Sequence, residues 1–198
     1  MWYWVFRFIF KVTGRIFFRF RVVGLENIPQ ETNFIIVANH VSFLDPIVVM
    51  AAVPKKIYCL AMRFLYRLTF IGWFLQKVEA LPVGSASSKA IYLLENNKNV
   101  GLFPEGGISR DGRLREFRRG TALLAYKTGR PVVPCAIFGT YEALPLGKLI
   151  PRLCPISLRI GKPIYLLKEF DEVIDDLKLL EGTTRIRNAI KEMLDASK

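Results

Sequence analysis

A single histidine, His40, is all the imidazole this sequence has. Metal sites built on paired histidines are therefore excluded, and with no Cys-x-x-Cys either, neither zinc nor another metal is expected. Chemistry that needs a side-chain base near neutral pH falls to His40. Cysteine is sparse too. Cys59, Cys135 and Cys154 are odd in number, far apart and set among apolar residues. They read as core thiols of a reducing compartment, not as a disulfide framework. Acid is the third shortage. Only 17 acidic residues face 29 basic ones, a net charge of +12, and none of the acids falls in positions 1–23. Zinc-finger, RNP and helix-turn-helix signatures are missing, so nucleic acid is not an expected partner. An apolar fraction of 52% with this positive charge favours an anionic phospholipid membrane instead. There is no internal repeat and no low-complexity linker, so 198 residues read as one domain with a sizeable core.

Residues 1–23 read as a membrane-binding helical segment, and residues 24–198 as the catalytic domain. Arg7, Lys11, Arg15 and Arg19 recur every four positions. Each step drifts by about 40° on a helix, which gives one slowly winding cationic stripe. Trp2, Trp4, Phe6, Phe10 and Phe17, with Phe8, Ile9 and Ile16, cover much of the rest. Rings and cations in this mixture suit a helix lying in the headgroup region. A spanning helix fits less well, because each cation at its centre costs roughly 2.5–3.5 kcal/mol. A signal peptide fits poorly, since the apolar run is interrupted and no Ala-x-Ala-like site follows. A core-packing helix pair is the plain alternative, and Thr13-Gly14 is a candidate break.

The apolar run Phe34–Ala38 predicts a buried strand, followed by Asn39-His40-Val41-Ser42-Phe43-Leu44-Asp45-Pro46. Asp45 reads as a helix N-cap with Pro46 at the first helical position. On one helix His40 and Asp45 would stand about 140° apart and could not meet. A strand end, a loop and a helix start can bring them together. Asp45 then accepts from one ring nitrogen and leaves the other free to take a proton. A capping Asp beside an unrelated loop His is the plain alternative.

Strands are further predicted at Lys56–Leu60, Val78–Val83, Val100–Phe103 and Val132–Phe138, and at Ile156–Ile160 as a sheet edge. Helices are predicted after Pro46, from Ser85 near an N-cap to Asn97, from Thr121, and from about residue 168 onward. The segment Arg63–Leu75 is aromatic and basic, and reads equally as a second membrane-facing patch or a buried helix with snorkelling arginines. The alternation predicts an α/β fold with a mixed, mostly parallel sheet flanked by helices. The Phe103-Pro104-Glu105-Gly106-Gly107 loop brings glycines that let backbone N–H groups approach an anion, or simply make a turn. Arg113, Arg115, Arg118 and Arg119 follow, and suit a phosphate-bearing ligand or a solvated charge cluster.

Together these pieces resemble the glycerolipid acyltransferase family, in its bacterial 1-acyl-glycerol-3-phosphate acyltransferase branch. The resemblance runs from about Gly24 to Pro163. The family's first block, Asn-His-x-Ser-x-x-Asp, is complete from Asn39 to Asp45, and its Phe-Pro-Glu-Gly block stands at Phe103–Gly106. The Ser-Arg-Asp-Gly sequel is at Ser109–Gly112, and the Val-Pro block at Val133-Pro134. The resemblance implies acyl transfer from an acyl carrier protein or coenzyme A thioester to the hydroxyl of a lysophospholipid, giving phosphatidate. It implies no cofactor, and an enzyme seated on the cytoplasmic face of a membrane. His40 would be the general base and Asp45 its orienting carboxylate, with Glu105, Gly106 and Gly107 holding the acceptor's glycerol end. Two departures stand out. Gly107-Ile108 replaces the family's usual Thr-Arg, and Gly84-Ser85 follows Pro82-Val83 where an arginine is common. Another cation must then meet the acceptor phosphate, or the acceptor is a different lyso-lipid. Arg63, where the family often has a lysine, and Arg119 are the first candidates, with Arg110 and Arg118 nearby.

Overall fold

The computed structural model describes residues 1–82, 86–169 and 173–196. Helix α1 (Trp2–Phe18) leads into strand β1 (Arg21–Val23), followed by β2 (Ile35–Ala38), α2 (Asp45–Ala52) and β3 (Ile57–Ala61). Then come α3 (Thr69–Lys77), β4 (Leu81–Pro82), α4 (Ala86–Glu95) and β5 (Asn99–Leu102). The chain continues with α5 (Gly120–Thr128), β6 (Val132–Phe138), α6 (Thr140–Ala143), β7 (Ser157–Ile160) and α7 (Asp176–Asp195). The strands form one sheet in the order β1-β7-β6-β2-β5-β3-β4, parallel except for the antiparallel pair β6 and β7.

All four residues of β2 are buried, because both faces of this central strand are covered. Ile36 and Ala38 pack with Val48, Val49 and Ala52 of α2. Ile35 and Val37 pack with Ala90, Leu94, Ala122 and Ala125 of α4 and α5 and with Ile186 and Ile190 of α7. The period-2 alternation of a strand thus sends one apolar run into two cores. Helix α1 adds a third cluster, in which Tyr3 meets Met50 and Val78, with Phe6, Phe10 and Phe74 against them.

Several sequence expectations change. α1 runs unbroken through Thr13-Gly14. Gly14 serves close packing rather than a break: the chain reverses at Arg19, in the left-handed region at φ 45°, and Phe20 folds back against it. A Cβ on Gly14 would lie 3.3 Å from the Cβ of Phe20. Residues 21–23 end the basic segment not as helix but as a strand pairing with β7. β7 therefore lies inside the sheet, and β1 is the edge. Val78 closes α3, which leaves Leu81 and Pro82 as strand; Val83 and the N-cap expected at Ser85 fall outside the described residues. One helix, α7, serves the C-terminal region.

Candidate active site

β2 and β5 are neighbours, with Ile35 beside Val100 and Val37 beside Leu102. Their C-terminal ends therefore deliver His40 and Phe103 to the same edge of the sheet. This is how two blocks far apart in the chain come together. The rings of His40 and Phe103 stack, 4.2 Å between centroids.

Asp45 is fully buried, and its Oδ2 lies 2.8 Å from His40 Nδ1. The same oxygen accepts the backbone N–H groups of Val41 at 2.7 Å and Ser42 at 2.8 Å. Asp45 is the first residue of α2, not its cap; Leu44 occupies the cap position and Pro46 follows inside the helix. The carboxylate thus closes the loop behind it. Its Oδ1 is buried without a partner. With Nδ1–H donating to a carboxylate, the other ring nitrogen, Nε2, is left to take a proton from a substrate.

The loop is fixed on every side. Asn39 grips Ile137 of β6 twice, accepting its N–H at 2.8 Å and donating to its carbonyl at 3.1 Å. Ser42 Oγ donates to Leu144 O at 2.7 Å and accepts from the Leu44 N–H at 3.1 Å. That hydroxyl is fully buried and occupied, which makes it a poor nucleophile. The thiols are no better: burial pushes Cys59 up to about 12 and moves Cys135 further in the same direction.

Glu105 is buried, and both its oxygens are engaged. Oε1 accepts the backbone N–H of His40 at 2.7 Å, and Oε2 that of Arg115 at 3.2 Å. Burial raises its pKa above the usual carboxylate range, and the two N–H donors pull the other way. This carboxylate ties the histidine loop to the arginine loop. The Ser109 N–H adds a second tie, to His40 O at 2.8 Å.

The cations divide. Arg118 lies against Gly106, which stands at φ +73°; a Cβ there would come within 2.3 Å of the Arg118 Nε. Arg115 Nη1 lies 3.9 Å from the Cβ position of Gly107. Two guanidinium groups therefore flank the glycine turn beside His40. Arg115 is absent from the sequence-based acceptor set; its place in the cluster Arg113–Arg119 was its only signal. Arg119 pairs with Asp176 at 2.7 Å and ties α5 to α7. Arg63 is exposed in a 3-10 turn (Arg63–Arg67) just beyond β3, two strands from His40. Arg110 is exposed, and its carbonyl accepts from the Tyr141 hydroxyl at 3.1 Å.

An apolar cavity of about 230 Å³ lies under α1 and beside α2. Phe10, Gly14, Phe18, Leu44, Ala51 and Pro151 are among the residues that line it. Leu44 adjoins Asp45 in the chain, so the cavity begins next to the histidine loop.

The sequence profile of the Acyltransferase family matches residues 19–138. The chain belongs to this family. It is 28% identical over 190 residues to the 1-acyl-sn-glycerol-3-phosphate acyltransferase of Borreliella burgdorferi, covering 89% of this chain and 72% of that protein. It is 29% identical to the Bacillus subtilis protein of the same name, over 87% of each. The crystal structure of the 1-acyl-sn-glycerophosphate acyltransferase PlsC from Thermotoga maritima superposes with a TM-score of 0.76 at 27% identity, covering 94% of this chain and 79% of that one. The α/β fold with a mostly parallel sheet is thus the fold of that acyltransferase.

The basic aromatic helix of this acyltransferase has two sides. Phe6, Phe10, Arg7 and Lys11 turn toward the domain and are half-buried: Phe6 and Phe10 pack on Phe74, and Arg7 Nε donates to Val53 O at 2.8 Å. Trp2, Trp4, Arg15, Phe17 and Arg19 are exposed, with Val5, Phe8, Ile9, Val12 and Ile16. Phe64, Phe70 and Trp73 are exposed on the second aromatic segment, which favours a surface patch over a buried helix. Among the described residues no helix is long and apolar enough to cross a membrane.

Proposed function

We propose that this acyltransferase moves a fatty acyl group from an acyl thioester to the free hydroxyl of 1-acyl-glycerol-3-phosphate, giving phosphatidate. The observation that carries the reading is the 2.8 Å contact between His40 Nδ1 and Asp45 Oδ2 at the end of the central strand. The names of the similar proteins point to the same acceptor.

In this reading His40 Nε2 takes the proton of the acceptor hydroxyl as its oxygen attacks the thioester carbon. A base so placed contributes about 10²–10⁴-fold. The imidazolium that forms is stabilised by Asp45, and its proton passes to the departing thiolate. The acceptor attacks directly, so no acyl-enzyme is required. Arg115 and Arg118 bind the acceptor phosphate, in place of the family's arginine that Ile108 replaces. Arg119 keeps its partner Asp176. The cavity under α1 takes part of an acyl chain. The exposed face of α1 and the patch around Phe70 rest on the bilayer that holds acceptor and product. Helix α1 forms the membrane-binding segment, and the chain from β1 onward the catalytic domain. The unpaired thiols fit a peripheral protein on the cytoplasmic face, where acyl carrier protein and coenzyme A thioesters are both available as donors.

The test is acylation of lysophosphatidate by the purified protein beside His40→Ala. Phosphatidate is expected from the wild type alone. Equal product from the variant removes the mechanism, and no product from the wild type with either donor removes the acceptor assignment.

A further inference from the structure

The connection from α6 to β7 has no regular structure after Leu144, and residues 146–153 are exposed at every position. Leu149 is 95% exposed, Ile150 83% and Leu153 69%. Single exposed aliphatics are ordinary, but three bare ones within five positions of a loop are not. The loop is held firmly at its base. Ser42 Oγ donates to Leu144 O at 2.7 Å, the Arg152 N–H to Ala143 O at 2.7 Å, and the Ile156 N–H to Phe18 O at 2.8 Å. One root is thus the histidine loop and the other the end of α1. Pro151 also walls the apolar cavity that Phe10 and Phe18 share. The tip turns at Gly147, in the left-handed region at φ +91°, with open space around it.

The charge along the loop itself has one sign. Lys148 and Arg152 alternate with the aliphatics, and no acid stands between Glu142 and Glu169. Ile16 and Phe17, near the root at Phe18, are exposed as well. Both bare apolar surfaces, helix and loop, start from one corner of the fold.

We propose that loop 146–153 inserts Leu149, Ile150 and Leu153 into the acyl region of an anionic bilayer, with Lys148 and Arg152 at the headgroup phosphates. Aliphatic tips between cations whose stems can snorkel are the composition of an interfacial element. Rooted at Ser42, the loop would set the mouth of the site against the lipid that carries the acceptor. The inference deepens the reading of a bilayer lipid as acceptor and rests on it.

The test mixes the full chain with vesicles of phosphatidylcholine, with and without phosphatidylglycerol, and measures co-sedimentation. Leu149→Ser with Ile150→Ser and Leu153→Ser is expected to lower partition to the anionic vesicles by at least about tenfold. The thermal melt should not move, because these side chains are exposed in the free protein. Lys148→Glu with Arg152→Glu should weaken binding to the anionic vesicles and leave binding to pure phosphatidylcholine unchanged. Turnover of a short-chain, monomeric lysophosphatidate by the triple serine variant should stay within about twofold of wild type. If the wild type does not turn that acceptor over, the reaction assignment falls, and the partition measurement still judges the loop. Triple-variant partition equal to wild type overturns the proposal. So does intact vesicle binding with lost affinity for acyl carrier protein, which would make the loop a protein dock.

Discussion

The backbone N–H of His40 donates to Glu105 Oε1 at 2.7 Å, joining residues 65 positions apart in the chain. The His40 imidazole is therefore steered from two directions, its ring by Asp45 and its backbone by Glu105. Removing the carboxylate leaves two part-buried N–H groups, those of His40 and Arg115, without their partner, a loss of about 1–3 kcal/mol. Glu105→Ala is expected to lower stability by that amount in urea melts. It should also lower kcat by about tenfold or more, because the base is misplaced, with a smaller rise in KM for the acceptor, because Oε2 also holds the Arg115 N–H. A raised KM at constant kcat would return Glu105 to the role of an acceptor ligand.

Glu105→Gln separates the charge from the shape. Burial raises the Glu105 pKa, so the folded chain holds this proton to higher pH than the unfolded chain does. The wild-type group's contribution to stability therefore falls as pH rises from the ordinary carboxylate range through the raised value, then stays level. Glutamine does not titrate. The stability of Glu105→Gln minus that of wild type should thus climb across that window and flatten above it. Urea melts at a series of pH values read this directly. A difference that does not vary with pH would mean that the carboxyl titrates alike in both states.

Asp45→Asn should give an informative partial loss. One oxygen, Oδ2, accepts all three hydrogen bonds, and Oδ1 accepts none. An asparagine carbonyl in the place of Oδ2 preserves the three bonds and the Nδ1–H tautomer, with the amide NH₂ where Oδ1 stood. Only the negative charge is lost. A fall in kcat of roughly 10²-fold is expected, short of the ~10⁴ that a reversed tautomer costs. Single-turnover assays at saturating acceptor measure it. A loss as large as that of His40→Ala would mean the ring has turned.

Much of this architecture was legible because burial leaves a plain mark on sequence. β2 and β6 are nearly continuous apolar runs, and the blocks that follow β2 and β5 carry the residues that the fold brings together at His40. β1 was not legible: three residues, Arg21, Val22 and Val23, carry no usable period, and their strand exists only because β7 lies beside them. For the same reason β7 read as an edge. Gly14 read as a break because nothing local announces that Phe20 will fold back onto it. Nothing local in the Arg7–Arg19 stripe announces that Arg7 donates to Val53 O at the end of α2 or that Lys11 is half-buried. The Phe-Pro-Glu-Gly block draws attention to Glu105, but which groups its oxygens meet is a tertiary fact.

Arg115 and Arg118 should govern acceptor affinity, and Arg119 should not. Arg115→Ala and Arg118→Ala each remove a charge-assisted contact worth about 1.5–3 kcal/mol, so KM for lysophosphatidate should rise about tenfold or more. kcat should change little. Arg119→Ala loses only its exposed pair with Asp176, and its KM should match wild type. Initial-rate kinetics across the three variants decide this. A KM effect confined to Arg119→Ala would move the phosphate to the other side of the site.

The cavity beneath α1 gives the last prediction. Ala51 lines it from α2, about one and two-thirds turns beyond Asp45. Ala51→Leu places three more carbons in a void of about 230 Å³, so it should fold with little strain. If the acyl chain of donor or acceptor ends there, long chains lose room first. Competition between donors of different length should then shift toward shorter chains, with the rate on the shortest donor kept within about twofold of wild type. Acceptors of different chain length, run at one fixed donor, show which of the two chains enters. An unchanged preference on both sides would mean that the cavity is packing space and that chain length is measured elsewhere.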